Sequence, residues 1–233
     1  MRLQNRLETI LSFIRPGVTV LDVGTDHAQI PIALAERGHT GALIASDVAA
    51  GPVRRAEVNI RQSGYADRIT VRQTDGLEGL TIPPQADIVL AGMGGELIAS
   101  ILEAAPGTRQ PGVRLILQPM TKPECLSRYL GENGYAVTDG AYVRDSENGK
   151  LYRVMVAGYT GIPYTLSPEL ALLGAFAPSC HSEEKDAILR HEMDVTRKKI
   201  QGKEAGGADA SEEKALLLRL EALREPTGRK GTS

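Results

Sequence analysis

Between residues 18 and 160 the chain alternates between two hydrophobic periodicities. Runs rich in β-branched residues lie at 18–23, 42–47, 69–73, 87–91 and 113–118. Segments with helical spacing separate them, at 28–37, 52–62, 96–105 and 122–132,. Gly or Pro marks the junctions, at Gly38, Gly64, Pro83, Pro106 and Gly134,. Strands and helices of these lengths predict βαβ crossovers and a parallel sheet covered on both faces. The unbroken apolar triplets Ile88-Val89-Leu90 and Leu115-Ile116-Leu117 fit strands buried on both sides.

The pattern then changes. Two strand-like runs, 136–144 and 151–159, leave no room for a helix between them, and their connector carries the hairpin signal Asn148-Gly149,. A mostly parallel α/β sheet ending in an antiparallel hairpin is similar to class I methyltransferase sheets, an analogy of fold alone. Beyond Gly161 the chain reads as helical. Ser167-Pro168-Glu169, Ser182-Glu183-Glu184 and Ser211-Glu212-Glu213 open helices, with Ser167 as an N-cap and acids at the positive end of the helix dipole,. Leu189, Met193, Thr196 and Ile200 form one narrow stripe, and Leu216, Leu220 and Leu223 another, as in a helical hairpin,. The connector 202–210 is expected to be mobile. These signals divide the chain into 1–160, a Rossmann-like domain, 161–226, a small helical domain, and 227–233, a disordered tail.

At 233 residues and 42% hydrophobic content, one domain with an appendage is affordable,. The formal charge of -2 excludes a wholly basic nucleic-acid binder but leaves local basic patches open,. Aromatics at 4% exclude a stacking wall for single strands,. Cys125 and Cys180 form no CxxC pair, so a zinc site is unsupported and a reducing cytoplasm is expected,. The apolar run 10–14 is too short for a membrane span,. No metal and no membrane partner is expected, and the oligomeric state stays open, a monomer included.

Acids stand at three strand ends, where open α/β sheets bind ligands. The first segment is Asp22-Val23-Gly24-Thr25-Asp26-His27. It has one Gly where a dinucleotide fingerprint needs three, and Asp22 and Asp26 would repel a pyrophosphate,. A nucleoside carrying cationic groups fits better, and S-adenosylmethionine is one. Asp26 also reads as a helix N-cap, and His27 as either a functional or a structural residue. Asp47, with Val48 beside it, is placed to accept ribose hydroxyls. Asp75-Gly76 is placed to accept an adenine N–H. In Gly92-Met93-Gly94-Gly95 three glycines exceed what a turn needs and suggest close approach of a ligand. Gln118 is a candidate reader of a base edge. Arg54, Arg55, Arg61, Arg68 and Arg72 cluster without a lysine, and Arg2, Arg6 and Arg15 stand near the start. Either group is a solvated surface or a grip on phosphates.

Together these segments resemble the bacterial tRNA (adenine-22-N1)-methyltransferase family. The matching pieces are Arg6-Leu7, DVGTDHAQIP at 22–31, ASDV at 45–48, DGLE at 75–78, AGMGG at 91–95, LILQPM at 115–120 and KLYRVMVAGY at 150–159. Gln29 and Met120 depart from the family pattern. The resemblance implies a class I fold, S-adenosylmethionine as methyl donor and tRNA as substrate. It places Gly24, Asp26, His27, Asp47, Asp75, Gly76, Gly92 and Met93 around the cofactor and the reaction. Asp26 and His27 are the expected catalytic pair, with Arg6, Arg54, Arg55, Arg61 and Gln118 toward tRNA. Met93 and Tyr135 are conceivable packing partners of the base. Two alternatives remain at this point: a methyltransferase acting on a small molecule or a protein, and a noncatalytic binding module.

Overall fold

A computed structural model describes residues 3–146, 148–175 and 183–224, the side chain of Glu183 excepted. Arg2, Cys180, His181, Ser182 and the tail expected to be disordered lie outside the described residues.

The chain enters through helix α1, Asn5–Phe13, and then alternates. Strands β1 (Val20–Val23), β2 (Leu43–Asp47) and β3 (Ile69–Gln73) enclose helices α2 (Gln29–Glu36) and α3 (Ala50–Ser63). Strands β4 (Asp87–Gly94) and β5 (Arg114–Thr121) enclose α4, Gly95–Ala104. Helix α5, Pro123–Glu132, leads to the hairpin of β6 (Tyr135–Arg144) and β7 (Leu151–Tyr159). Helices α6 (Pro168–Leu173), α7 (Glu183–Ala205) and α8 (Ser211–Ala222) follow.

The seven strands run in the order β3-β2-β1-β4-β5-β7-β6. The first five are parallel and β7 is antiparallel to both its neighbours. From β1 the chain winds outward to β3, then returns to the other side for β4. The crevice beyond the carboxyl ends of β1 and β4 is therefore the topological switch point, where such sheets take ligands.

Alternating side chains explain the apolar triplets. Ile88, Leu90, Leu115 and Leu117 face one core together with Ile98, Leu102, Leu126 and Leu130 of α4 and α5. Val89 and Ile116 face the other, with Leu7, Ile10, Ile30 and Ile60 of α1, α2 and α3,. The expected stripe on α7 is buried, and Leu220 of α8 is fully so. Ile188, Leu189, Met193 and Leu220 belong to the first core, so the C-terminal helices dock on the sheet domain. Buried Arg153 of β7 meets Glu192 of α7 at 2.6 Å across that junction.

Several local readings change. Helix α7 continues through Gly202 to Ala205, shortening the expected connector. The Ser167 hydroxyl donates to the Glu169 carboxylate at 2.6 Å and caps no backbone N–H. Helix α8 does open at Ser211 with Glu212 and Glu213 in its first turn, and Asp209 accepts the Ser211 N–H and hydroxyl. Strand β4 runs past residue 91 to Gly94, with register shifts around Met93, so the glycine-rich segment is irregular strand. Arg15, expected in a basic patch, reaches into the sheet. Its N–H, Nε and Nη2 donate to the fully buried Asp87 carboxylate at 2.7, 2.9 and 2.7 Å.

Candidate active site

The turn after β1 lies at the crevice and is tight. Gly24 has φ +72°, and a Cβ there would stand 2.2 Å from Met93 Cε. Met93 Cε is the end of a flexible side chain and can move, but the positive φ favours glycine,. Asp26 (φ +42°) and Ala28 (φ +55°) are also left-handed, a cost of about 1–3 kcal/mol each unless the surroundings hold them,. Helix α3 does so. Arg55 Nε and Nη2 donate to Asp26 Oδ1 at 3.1 and 2.6 Å. One turn later, Asn59 donates to the His27 carbonyl at 3.0 Å. The N-cap reading of Asp26 is thereby corrected: Ala28 occupies the cap position, and the Asp26 carboxylate points to Arg55 and His27. His27 Nε2 is 3.3 Å from Asp26 Oδ2, and both side chains are about half exposed.

Asp22 lies beneath, almost wholly buried. The Thr25 hydroxyl donates to its Oδ2 at 2.5 Å. Burial pushes the Asp22 carboxyl up to about 6, the Thr25 hydrogen bond opposes this, and the charge of Asp47 adds to it,. At the end of β2, Asp47 Oδ1 accepts the Ala49 N–H at 3.0 Å, and Val48 is 60% exposed, an apolar surface left open at the crevice.

Across the crevice, Gly92 (φ +80°) donates its N–H to Gln118 Oε1 at 3.1 Å. Gln118 is wholly buried, which corrects its reading as a base reader: its amide oxygen is taken by Gly92 and by Arg6 Nη1, the latter at 2.9 Å. The other two glycines have structural reasons. A Cβ at Gly95 would lie 2.2 Å from the Lys122 carbonyl oxygen, and one at Gly94 3.2 Å from Thr121 Oγ1. Tyr135 cannot meet a base: it is fully buried, bonded to Thr108 and packed against Tyr129 and Tyr159.

Two hollows result. One, of about 260 Å³, brings Asp22, Gly24, Asp26, His27 and Gly92 together with Arg6. The second, of about 400 Å³, holds Asp75 and Gly76 against Leu97 and Ile101 of α4. Arg54 and Arg61 stay on the exposed face of α3, with Arg61 3.9 Å from Glu57. Arg55 is not free for phosphate, being committed to Asp26. Thr25, Asn59 and Tyr152, whose ring lies 5.6 Å from the Arg6 guanidinium carbon, escaped the sequence reading. Of these only Thr25 left a signal, a hydroxyl three residues from Asp22 in a tight turn. Among the described residues no group of His, Cys, Asp and Glu could hold a metal ion, and no helix is long and apolar enough to cross a membrane.

Residues 3–155 match the family model described as a methyltransferase domain. The chain is also 35% identical over 196 residues to the tRNA (adenine(22)-N(1))-methyltransferase of Bacillus subtilis (strain 168), covering 81% of this chain and 79% of that protein. The chain belongs to the tRNA (adenine(22)-N(1))-methyltransferase family. Two solved structures extend the likeness along this family member's length. The Bacillus subtilis m1A22 tRNA methyltransferase superimposes with a TM-score of 0.75 at 31% identity, covering 95% of both chains. A Streptococcus pneumoniae protein solved with S-adenosyl-L-methionine gives a TM-score of 0.81 at 30% identity, covering 95% of this chain and 99% of that one.

Proposed function

We propose that this protein transfers a methyl group from S-adenosylmethionine to N1 of adenine 22 in tRNA, acting in the cytoplasm. The observation that carries the reading is the acid-rimmed, glycine-floored hollow at the switch point of a chain of this family. The residues fit the cofactor. The hollow has no Cβ at Gly24 and has carboxylates at Asp22 and Asp26, which suit cationic groups and would repel a pyrophosphate,. We read Asp47 as the acceptor of ribose hydroxyls and Asp75 and Gly76 as the adenine edge, with Val48 and Met93 as apolar cover. When bound, the cofactor supplies a sulfonium-activated methyl group.

Adenine N1 has a lone pair and no proton, so no general base is required. The protein's task is alignment and stabilisation of the positive charge that forms on the base. Asp26, fixed by Arg55, is placed to oppose that charge or accept the N6 hydrogen bond. His27, anchored through Asn59, is placed to orient the base. N1 lies on the pairing edge, so the target must leave its stack first. We read residues 161–226 as a helical domain that helps hold the tRNA, together with Arg54 and Arg61.

Labelled cofactor and unmodified tRNA test the reading. Methyl transfer is expected, falling by about a hundredfold in Asp26→Ala and less in His27→Ala. Near wild-type rates in both variants would remove the pair from the mechanism.

The Asp22 carboxyl, raised to about 6, gives a pH signature. Because burial holds its folded value above the ordinary carboxylate range, the contribution of Asp22 to stability is fully present below about pH 4 and is lost as pH rises through 6, about 3 kcal/mol in all,. Cofactor binding has the opposite sign, since a cation prefers the ionised acid. Calorimetry is expected to give about tenfold weaker binding at pH 5 than at pH 7. Asp22→Asn should bind weakly and lose most of this slope; an unchanged slope would exclude Asp22 as its source.

A further inference from the structure

A third hollow, larger than the other two at about 690 Å³, opens where the end of β5, the β6–β7 hairpin and α7 meet. No side chain read above as holding the cofactor or serving methyl transfer lines it. Its floor is apolar, made by Met120, which is 45% exposed, with Leu151, Tyr152 and the buried Ile188. Its charge is positive. Lys150 is exposed and pairs with no acid among the described residues. Arg144 is held by the Gly149 carbonyl, which accepts from Nη1 at 3.1 Å, and by Glu184 at 3.4 Å from Nη2. The acid in the lining, Glu192, is committed to Arg153 at 2.6 Å. An apolar floor beside uncompensated cations suits a flat base with a phosphate attached, the former by stacking and the latter by charge.

Two contacts join this hollow to the 260 Å³ one. Gln118 Nε2 donates to Met120 Sδ at 3.3 Å, and the Arg6 guanidinium carbon lies 5.6 Å from the centre of the Tyr152 ring. Arg6 and Gln118 stand on the reaction side of this partition, Met120 and Tyr152 on the other. Whatever fills the larger hollow is therefore a neighbour of the reacting group. Taking the target adenine out of its stack leaves the next base with one face uncovered. That base is tied to the target through the RNA backbone and arrives with it. We propose that the 690 Å³ hollow holds the nucleotide adjacent to the target adenine in the same tRNA strand, its base on Met120 and Leu151 and its phosphate against Lys150 and Arg144. The inference rests on the tRNA reading above.

The test pairs protein variants with tRNAs that each lack one base: adenine 22 itself, its 5′ neighbour or its 3′ neighbour. Filter binding on the full chain reads the affinities. Wild type is expected to bind about tenfold more weakly when one of the two neighbouring bases is missing. Met120→Asp puts a carboxylate on the floor and should bind intact tRNA about tenfold more weakly. Removing the same neighbouring base should then cost this variant no more than about twofold, because the contact is already lost. Lys150→Ala should weaken all the RNAs alike, by about threefold, since the phosphate stays in each. S-adenosylmethionine affinity, read by calorimetry, should stay within about twofold of wild type in both variants. Circular dichroism confirms that each variant is folded. Base-removal losses that are equal in wild type and Met120→Asp at every position would overturn the proposal. So would unchanged tRNA affinity in both variants. Coupling confined to adenine 22 would overturn it too, by placing the reacting base in this hollow. Lost cofactor affinity in the folded variants would overturn it by assigning the hollow to the cofactor. A wild type that neither binds nor methylates intact tRNA overturns the tRNA reading and this inference with it.

Discussion

Gly24→Val is expected to weaken S-adenosylmethionine binding by roughly a hundredfold while leaving the protein folded. Two independent constraints act at this position. The backbone sits at φ +72°, where a β-branched residue is strained,. The side chain would also start 2.2 Å from Met93 Cε. Met93 Cε is the free end of a flexible side chain and can move aside, so the backbone strain is the firmer constraint, and its relief requires rotating the β1–α2 turn that lines the hollow,. The turn also holds Asp26 and His27, which α3 keeps in place through Arg55 and Asn59. Rotating it would break those bonds as well. Gly24→Ala removes the branching but keeps the Cβ contact, so its loss should be intermediate. Calorimetry on both variants, with melting curves as a control, checks the order. Wild-type affinity in Gly24→Val would show that this turn does not contact the cofactor.

Asp87→Ala is expected to be strongly destabilising. The carboxylate is wholly buried at the start of β4 and receives three donors from Arg15. Arg15 Nη2 also donates to the carbonyls of Ala86 and Gly112, at 3.1 and 2.8 Å. This single side chain therefore fastens the segment after α1 to the bases of β4 and β5. Breaking a buried pair by removing one partner costs about 3–5 kcal/mol, because the other charge loses its compensation. For a chain of this size that lowers the melting temperature by roughly 6–20 °C. Arg15→Ala should cost at least as much, since it strands the more buried member. The double variant should lose less than the sum of the two. A drop under 2 °C in Asp87→Ala, or strict additivity, would show that the pair is not coupled.

What the sequence made legible follows from range. Periodicity is local, and the strands and helices follow it, including the switch to antiparallel at 136–159. Strand ends are local too, so acids at three consecutive ends already marked the crevice. The roles within it depended on contacts that spacing does not encode. Arg55 reaches Asp26 across 29 positions, Arg15 reaches Asp87 across 72, and Arg6 reaches Gln118 across 112. Each arginine read as a possible phosphate contact because its partner was out of view. Gln118 looked like a free polar group at a strand end because burial on both sides cannot be seen at one residue. The glycines of 92–95 looked alike in sequence, yet one faces the hollow and two face the junction of β5 and α5.

The most direct test is to map the methyl group. The purified protein is incubated with S-adenosylmethionine and an unmodified tRNA transcript bearing adenine 22, and nuclease fragments are read by mass spectrometry. The account predicts a single N1-methyladenine, at position 22, and no incorporation when that adenine is replaced by guanine. Methylation elsewhere in the tRNA, or undiminished incorporation into the guanine-substituted transcript, would contradict it.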